Sequence, residues 1–202
     1  SAAAILGTIS DRMLTLEGGR DPLTKLFNRR FLRTILQREV KLSVGSGDRF
    51  AAIMLDIDHF KHINDRYGHA AGDSVLRQFS ELLSATVRAG DFVFRYGGEE
   101  FLIIIASVDP ESVRTVAEKI CSVIRKHRFQ LLDEAGHVIT ASLGVALHDG
   151  HPDYGRVIDQ ADAALLKAKE SGRNRWLLFE SAEEDECRRL TGARVTSDAV
   201  SG

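Results

Sequence analysis

Carboxylates at two places in this sequence could together hold a metal ion. Asp56 and Asp58 lie in "LDID", at the end of the apolar run "FAAIMLDID". Glu99 and Glu100 follow directly on paired glycines in "RYGGEEF" and precede a second apolar run. A carboxylate at the end of a buried strand is costly unless it is paired or bound to a cation. The alternative is that the aspartates simply end a strand in solvent and cap the next helix.

The hairpin that "RYGGEEF" predicts would bring these acids together. If its strands lie beside the strand that carries Asp56, then Glu99 and Glu100 join Asp56 around one point. Oxygen ligands without cysteine or histidine suit magnesium, which proteins bind through one or two carboxylates plus substrate phosphates. Gly97 and Gly98 would let a bulky substrate approach the backbone. This pattern indicates metal-assisted nucleotidyl or phosphoryl transfer.

Composition limits the classes of protein that fit. The chain has 202 residues with 44% hydrophobic residues and a net charge of −2, which suits one domain with a sizeable core and no nucleic-acid partner. Cys121 and Cys187 lack metal-ligand spacing, so we expect free thiols in a reducing cytoplasm. No apolar run approaches the ~18 residues of a membrane span, and no signal peptide is recognisable, so no membrane partner is expected within this sequence.

Apolar periodicity predicts the elements that would position the acids. Helices are predicted over residues 23–44, 70–87, 110–126 and 153–171, with a short helix and a turn within "HFKHINDRYGHAAGD". Strands are predicted at 50–58, in "DFVFR" and "EFLIIIA" as a hairpin, in "FQLL" and "VITASLGVAL" around "DEAGH", and in "RWLLFE". This order predicts an α/β (α+β) fold, with a mixed, mostly antiparallel central sheet flanked by helices.

The two ends of the chain differ from the predicted domain over 20–180. Residues 1–19 carry Leu6, Ile9, Met13 and Leu16 at alternating spacings of three and four. That stripe is typical either of an ordinary amphipathic helix or of a connector helix that pairs with its copy in a dimer. Residues 181–202 have little apolar content, so we expect a disordered tail.

Five ordered motifs resemble those of GGDEF-domain diguanylate cyclases, in the GGEEF form. They are "RDPLTKLFNRRFL", "LDIDHFKHINDRYGHAAGD", "RYGGEEF", "ASLGVA" and "ADAALLKAKESGRNR". Together they cover about residues 20–179, and ordered motifs at compatible spacing are specific. The resemblance implies a palm-like nucleotidyl-cyclase fold. The first motif is also similar to that of globin-coupled members, which implies that an upstream sensory domain has been removed. Lys25 replaces a usual glycine and Leu166 a usual tyrosine, neither at a catalytic position.

The resemblance implies that the protein condenses two GTP molecules into cyclic di-GMP and releases two pyrophosphates. Asp56 and Glu99 would be side-chain metal ligands, and Ile57 would supply its backbone carbonyl. Two magnesium ions per GTP site are implied, with manganese as an alternative. Glu99 would also be the candidate base for the ribose 3′-hydroxyl, either directly or through a metal-bound hydroxide, and Glu100 would assist with the metals. Lys61 would face the phosphates.

Four further positions match residues that bind the nucleotide in this family. Asn64 and Asp73 would read guanine, because a carboxylate can accept from the ring N–H and the exocyclic amine, which adenine does not offer in that arrangement. Lys169 and Arg173 would reach the terminal phosphates. Without the resemblance, Asn64 would be a helix cap, Asp73 a surface acid, and the two cations a solvated helix end.

The motif "RAGD" matches the family's inhibitory site for the product. Arg88 would bind guanine or phosphate of cyclic di-GMP, and Asp91 the guanine edge. One domain holds one GTP and the product needs two, so a homodimer is implied. The location implied is the cytoplasm.

Three other functions stay open from the sequence. One is a catalytically silent receptor for GTP or cyclic di-GMP, and another is a different metal-dependent nucleotidyl enzyme on a similar sheet. The third is a purely structural dimerisation module. Away from the site, four histidines are expected to be exposed in loops: His127, His137, His148 and His151.

Overall fold

The structure is a computed structural model, and it describes residues 19–131 and 136–180. The predicted connector helix, apart from Gly19, and the predicted disordered tail lie outside these ranges. In the described part of the chain, no helix combines the length and the apolar character needed to cross a membrane.

Eight strands and five helices make up the described residues. In chain order they are β1 (Phe27–Asn28), α1 (Arg29–Ser46), β2 (Ala51–Ile57), α2 (Phe60–Tyr67), α3 (His69–Thr86), β3 (Phe92–Arg95), β4 (Glu100–Ile105), α4 (Pro110–Lys126), β5 (Phe129–Gln130), β6 (Gly136–His137), β7 (Ala141–Leu147), α5 (Gly155–Glu170) and β8 (Trp176–Leu178).

Six strands form the central sheet, in the order β1-β3-β4-β2-β7-β8. The three inner pairings are antiparallel, and the two outer pairings, β1 with β3 and β7 with β8, are parallel. This arrangement confirms the predicted mixed, mostly antiparallel sheet. The strands β5 and β6 form a separate small hairpin.

The middle strand β2 is buried on both faces, which explains its continuous apolar run. Ile53 and Leu55 face a core that includes side chains of α3 and α4. Ala52 and Met54 face a second core built with α1 and α5. Helices therefore cover both sides of the sheet, and the ends of its strands are left to carry function.

The helix α4 begins and ends where the sequence predicts. The Asp109 carboxylate accepts hydrogen bonds from the backbone N–H groups of Glu111 and Ser112, at 3.0 and 2.9 Å, and Pro110 occupies the first turn. Both features favour a helix start at this point.

The predicted helix over 23–44 was wrong in its first turn. The chain instead makes a turn and the short strand β1, and α1 begins at Arg29 after the Asn28 cap. Lys25 has a left-handed backbone with φ of 62°, which favours glycine and explains why glycine is usual at this position of the motif.

Two more expectations need correction near the second half of the sheet. The strand β5 covers only the start of "FQLL", β6 lies within the predicted turn "DEAGH", and β7 starts only at Ala141. His148 is buried, not exposed. Its ring stacks on Phe50 with centroids 4.4 Å apart, and its Nε2 lies 2.7 Å from the His151 carbonyl oxygen.

Candidate active site

The acids of "LDID" and "RYGGEEF" meet at one end of the sheet. Asp56 on β2 is the antiparallel partner of Glu100 on β4, as the sequence predicts for a neighbouring hairpin. The Ile57 N–H donates to the Glu99 carbonyl oxygen at 3.4 Å, so the residue before β4 also lies against β2. The pairing of two strands thus brings Asp56, Ile57 and Glu99 together.

The glycines of the hairpin turn have two different roles. Neither Gly97 nor Gly98 has a left-handed backbone, so the turn does not need glycine for its φ angles. A Cβ on Gly97 would collide with the Glu100 carboxylate, whereas one on Gly98 would meet open space. Gly97 therefore makes room for Glu100, and only Gly98 leaves the backbone free for the close approach that the sequence suggested.

An ion pair fixes the shape of this turn. The Arg95 Nη1 lies 3.1 Å from both carboxylate oxygens of Asp21, and the Arg95 Nε and Nη2 donate to the Gly98 carbonyl oxygen at 3.2 and 2.8 Å. Burial alone would raise the pKa of Asp21, but hydrogen bonds from Thr24 and Arg95 hold it below its usual value. Sequence patterns do not predict this pair, because the two residues are 74 positions apart.

Lys169 lies directly on the first acid. Its Nζ is 2.8 Å from Oδ2 of Asp56, whose side chain is largely buried. The helix α5 can pack this closely on β7 because Gly144 has no Cβ. A Cβ there would collide with the backbone of Ala161 and Leu165. The glycine of "ASLGVA" therefore sets the packing distance that lets the end of α5 reach Asp56.

Negative charge accumulates around Glu99. Burial raises the pKa of its carboxyl, the charges of Asp56 and Glu100 raise it further, and Lys169 opposes the shift. A divalent cation between these groups would relieve the repulsion. The Asp56 and Glu99 carboxylates with the Ile57 carbonyl offer the hard oxygen donors that magnesium takes, so these residues fit the ion.

Asp56, Glu99 and Glu100 lie at one end of the sheet, as expected, but their side chains do not form a metal site of three acids. Among residues 19–131 and 136–180, no group of three or more Asp, Glu, His or Cys side chains could hold a metal ion by itself. Glu100 lies instead against Gly97. The fourth acid, Asp58, is also engaged elsewhere, because its carboxylate accepts hydrogen bonds from β7 and from the turn after α5.

Glycines also shape the positions predicted to read guanine. Gly68, with φ of 84°, makes the corner between α2, which carries Asn64, and α3, which carries Asp73. A Cβ on Gly72 would collide with the Asn64 Oδ1. The Asn64 amide therefore packs on α3 right beside Asp73, and both residues stay partly exposed.

The cations predicted to contact phosphate are placed differently from one another. Lys61 is exposed in the first turn of α2. Arg173 is exposed in the turn after α5, where its backbone is left-handed with φ of 62°. Lys169 alone of the three makes an ion pair with Asp56.

The "RAGD" segment forms a compact unit on the surface. The Asp91 carboxylate accepts from the Arg88 N–H at 3.0 Å and from the Ala106 N–H at 3.2 Å, and its side chain is only 2% exposed. Arg88 contacts the same carboxylate at 3.4 Å, yet its side chain is 64% exposed. Arg88 is thus the accessible member of the Arg88–Asp91 pair.

Glu39 on α1 is buried nearby. Burial raises the pKa of its carboxyl, Arg38 opposes the shift, and Asp91 adds to it.

Comparison with known families identifies the chain. A family model described as "Diguanylate cyclase, GGDEF domain" matches residues 19–175. The diguanylate cyclase DosC of Escherichia coli (strain K12) is 42% identical over 166 residues, which are 82% of this chain and 36% of that protein. The chain thus spans about a third of the length of this curated relative.

Solved structures agree with this match. The diguanylate cyclase SiaD of Pseudomonas aeruginosa, solved with its activator SiaC, superimposes with a TM-score of 0.78 at 35% identity, over 88% of this chain and 68% of that one. The coiled coil and GGDEF domain of DgcB from Caulobacter crescentus, solved with c-di-GMP, gives 0.76 at 29% identity, over 88% and 95%. The sequence motifs, the fold and these matches show that the chain belongs to the GGDEF-domain family of diguanylate cyclases.

Proposed function

We propose that this chain is the catalytic domain of a diguanylate cyclase, which condenses two GTP molecules into cyclic di-GMP and releases two pyrophosphates. The observation that carries the proposal is the placement of Asp56 and Glu99 at one end of the sheet, with the Lys169 Nζ 2.8 Å from Asp56. Paired acids beside a cation suit a site that handles a metal-bound triphosphate.

The acids have distinct tasks in this proposal. Asp56, Glu99 and the Ile57 carbonyl hold magnesium, which when bound neutralises phosphate charge and orients the triphosphate. Glu99 accepts the proton of the attacking ribose 3′-hydroxyl at a carboxylate oxygen.

The cations and the amide bind the rest of the nucleotide. Lys169, which pairs with Asp56, contacts the phosphate oxygens of a GTP bound there. Lys61 on α2 and Arg173 in the turn after α5 bind the same triphosphate. Asn64 and Asp73 pair with the guanine edge. A carboxylate left without donors by adenine would lose binding free energy, which favours GTP.

Two copies of the chain are needed to complete the reaction. One domain holds one GTP, and its 3′-hydroxyl attacks the α-phosphate of the GTP that the partner holds, while the second pair of groups reacts in the same way. Positioning of the two nucleotides therefore supplies much of the catalysis, and any change in how the two domains meet controls the rate.

Product inhibition is expected to depend on Arg88. Since Asp91 is committed to internal hydrogen bonds, the exposed guanidinium provides most of the contact with cyclic di-GMP. Arg88→Ala should weaken inhibition by added cyclic di-GMP by ~10-fold or more, with the initial rate unchanged. Arg77→Ala, an exposed arginine on α3, is the matched control. An inhibition curve that Arg88→Ala leaves in place would contradict this role.

The substrate class is tested by comparing three nucleotides as substrates. The chain is incubated with magnesium and GTP, ATP or inosine triphosphate, and products are identified by mass spectrometry. Cyclic di-GMP from GTP, with slower turnover of the inosine analogue that lacks the exocyclic amine, is the expected result. A cyclic dinucleotide made from ATP would instead support a different nucleotidyl enzyme.

A further inference from the structure

The turn after α5 has an unusual backbone. Gly172, Arg173 and Asn174 have φ angles of 110°, 62° and 48°, so three consecutive residues are left-handed. Glycine adopts such angles freely and asparagine tolerates them, but for an arginine they are strained. Surrounding contacts must therefore hold Arg173 and Asn174 in this conformation.

Asp58 supplies the contact that holds this turn. Its Oδ2 accepts a hydrogen bond from the Asn174 backbone N–H at 2.9 Å. The same carboxylate is anchored in β7, because it accepts from the hydroxyl groups of Thr140 and Ser142 at 2.6 and 2.7 Å. Asp58 is only 5% exposed, so these bonds form away from water, where they are strongest.

A second contact secures the turn from another side. The Arg125 Nε on α4 donates to the Asn174 Oδ1 at 3.1 Å. The Arg173 N–H donates to the Ala168 carbonyl oxygen at 3.0 Å, which joins the turn to the last residues of α5. The turn is therefore held both by its own helix and by the strand end that carries the acids.

Through this turn, Asp58 links Lys169 and Arg173, the cations assigned to phosphate, to the segment that carries Asp56. Lys169 lies at the end of α5, three residues before Gly172, and contacts Asp56 at 2.8 Å. Asp58 follows Asp56 by two residues, so one short segment binds Lys169 through the first acid and the turn through the second.

We propose that Asp58 is a positioning residue for the triphosphate: it holds the left-handed turn 172–174, which fixes the end of α5 with Lys169 on Asp56 and sets the direction of Arg173 within the turn. The proposal rests on the proposed function, because it assigns those cations to phosphate. Asp58, the second acid of "LDID", thereby has a positioning role. Its place two residues after Asp56 would otherwise suggest metal binding.

A pair of substitutions in the turn isolates this role without touching the buried carboxylate. Asn174→Ala and Asn174→Gly both lose the Arg125 bond and both keep the backbone N–H that Asp58 binds. They differ in the cost of a left-handed backbone, about 1–2 kcal/mol for alanine. We expect the KM for GTP of the alanine variant to exceed that of the glycine variant by about 5-fold, with kcat changed less.

Substitution of Asp58 tests the other side of the contact. Asp58→Ala should raise the KM for GTP by ~10-fold and speed hydrogen exchange of the Asn174 amide, whereas Asp58→Asn, which keeps an acceptor oxygen, should stay near the parent. Ser142→Ala is the control for a purely structural role, because it removes a bond to the same carboxylate from β7. It should lower the melting temperature and raise the KM for GTP less than Asp58→Ala does, because the Thr140 hydroxyl still anchors the carboxylate.

The outcomes separate this proposal from the proposed function. Equal KM values for the two Asn174 variants, or a KM that Ser142→Ala raises as much as Asp58→Ala, would overturn the positioning role. If the chain makes no cyclic di-GMP even when it is joined to a leucine zipper, the proposed function fails. In that case, calorimetric titration of GTP and exchange of the Asn174 amide still decide, since unchanged affinity and exchange in Asp58→Ala would overturn the proposal.

Discussion

Glu99, the proposed base, illustrates how a residue placed for chemistry can reduce the stability of the fold that holds it. Because burial and the neighbouring acids raise the pKa of this carboxyl, its ionised form is less favourable in the folded chain than in the unfolded chain. Above its ordinary pKa the unfolded state releases the proton more readily, so ionisation lowers the free energy of unfolding. As the pH falls through the raised pKa, that loss disappears.

Glu99→Gln should therefore abolish cyclisation and stabilise the protein. We expect the free energy of unfolding at neutral pH to rise by roughly 0.5–1 kcal/mol, after allowance for solvent screening, and the gain to shrink towards about pH 4. Urea unfolding of the parent and the variant across this pH range measures it. Glu81→Gln, on the exposed face of α3, should show no such gain. A variant less stable than the parent at neutral pH would refute this account of the site.

Gly72 offers a test of the guanine-reading residues that leaves Asn64 and Asp73 in place. A Cβ at this position collides with the Asn64 Oδ1, so Gly72→Ala should displace the amide and raise the KM for GTP by ~10-fold. Gly45→Ala on α1, where a Cβ meets no atom within 4 Å, is the matched control. Steady-state kinetics with GTP measure both, and an unaltered KM in Gly72→Ala would argue against Asn64 as a contact.

At the scale of elements, the turn before β1 that contains Asp21 and the β3–β4 hairpin are joined by the ion pair between Asp21 and Arg95. The pair is separated by 74 residues, and both side chains are mostly buried, at 15% and 18% exposed. Because Arg95 also binds the Gly98 carbonyl oxygen, loss of its partner would free the turn that presents Glu99. Removal of one partner of a mostly buried ion pair leaves the other charge unpaired, which lowers the free energy of unfolding.

Asp21→Asn should lower kcat by ~10-fold and the free energy of unfolding by about 1–2 kcal/mol. The amide keeps an acceptor for the Thr24 N–H, so the local turn survives while the ion pair with Arg95 is lost. Asp48→Asn, an exposed aspartate after α1, controls for the change in charge. Full activity in Asp21→Asn would show that the hairpin keeps its shape without the pair.

The sequence predicted elements well where local signals agree. The helix α4 has an Asp-Pro start and a basic end, and β2 is a short apolar run between loops, so both were found. The strand β1 was missed because its two residues pair with β3, far along the chain. Asp58 and His148 were misjudged or passed over for the same reason, since their buried partners, Asn174 and Phe50, are distant in sequence.

At the scale of the whole molecule, one end of the sheet gathers the groups that act on the nucleotide. Asp56, Glu99 and Lys169 meet there, although they come from β2, the hairpin and α5. In the proposed function they would provide one set of ligands for one GTP. The two reactions that close a cyclic dinucleotide would need two such sets facing each other, so a lone chain should be inactive.

The most direct test is the initial rate of cyclic di-GMP formation from GTP and magnesium as a function of chain concentration. The parent is measured beside Glu99→Gln and beside a form joined to a leucine zipper. The account predicts a rate per chain that rises with concentration, a zipper form that is fast at every concentration, and no product from Glu99→Gln. A rate per chain independent of concentration would contradict the two-domain mechanism, and no product even from the zipper form would leave a receptor for GTP or cyclic di-GMP.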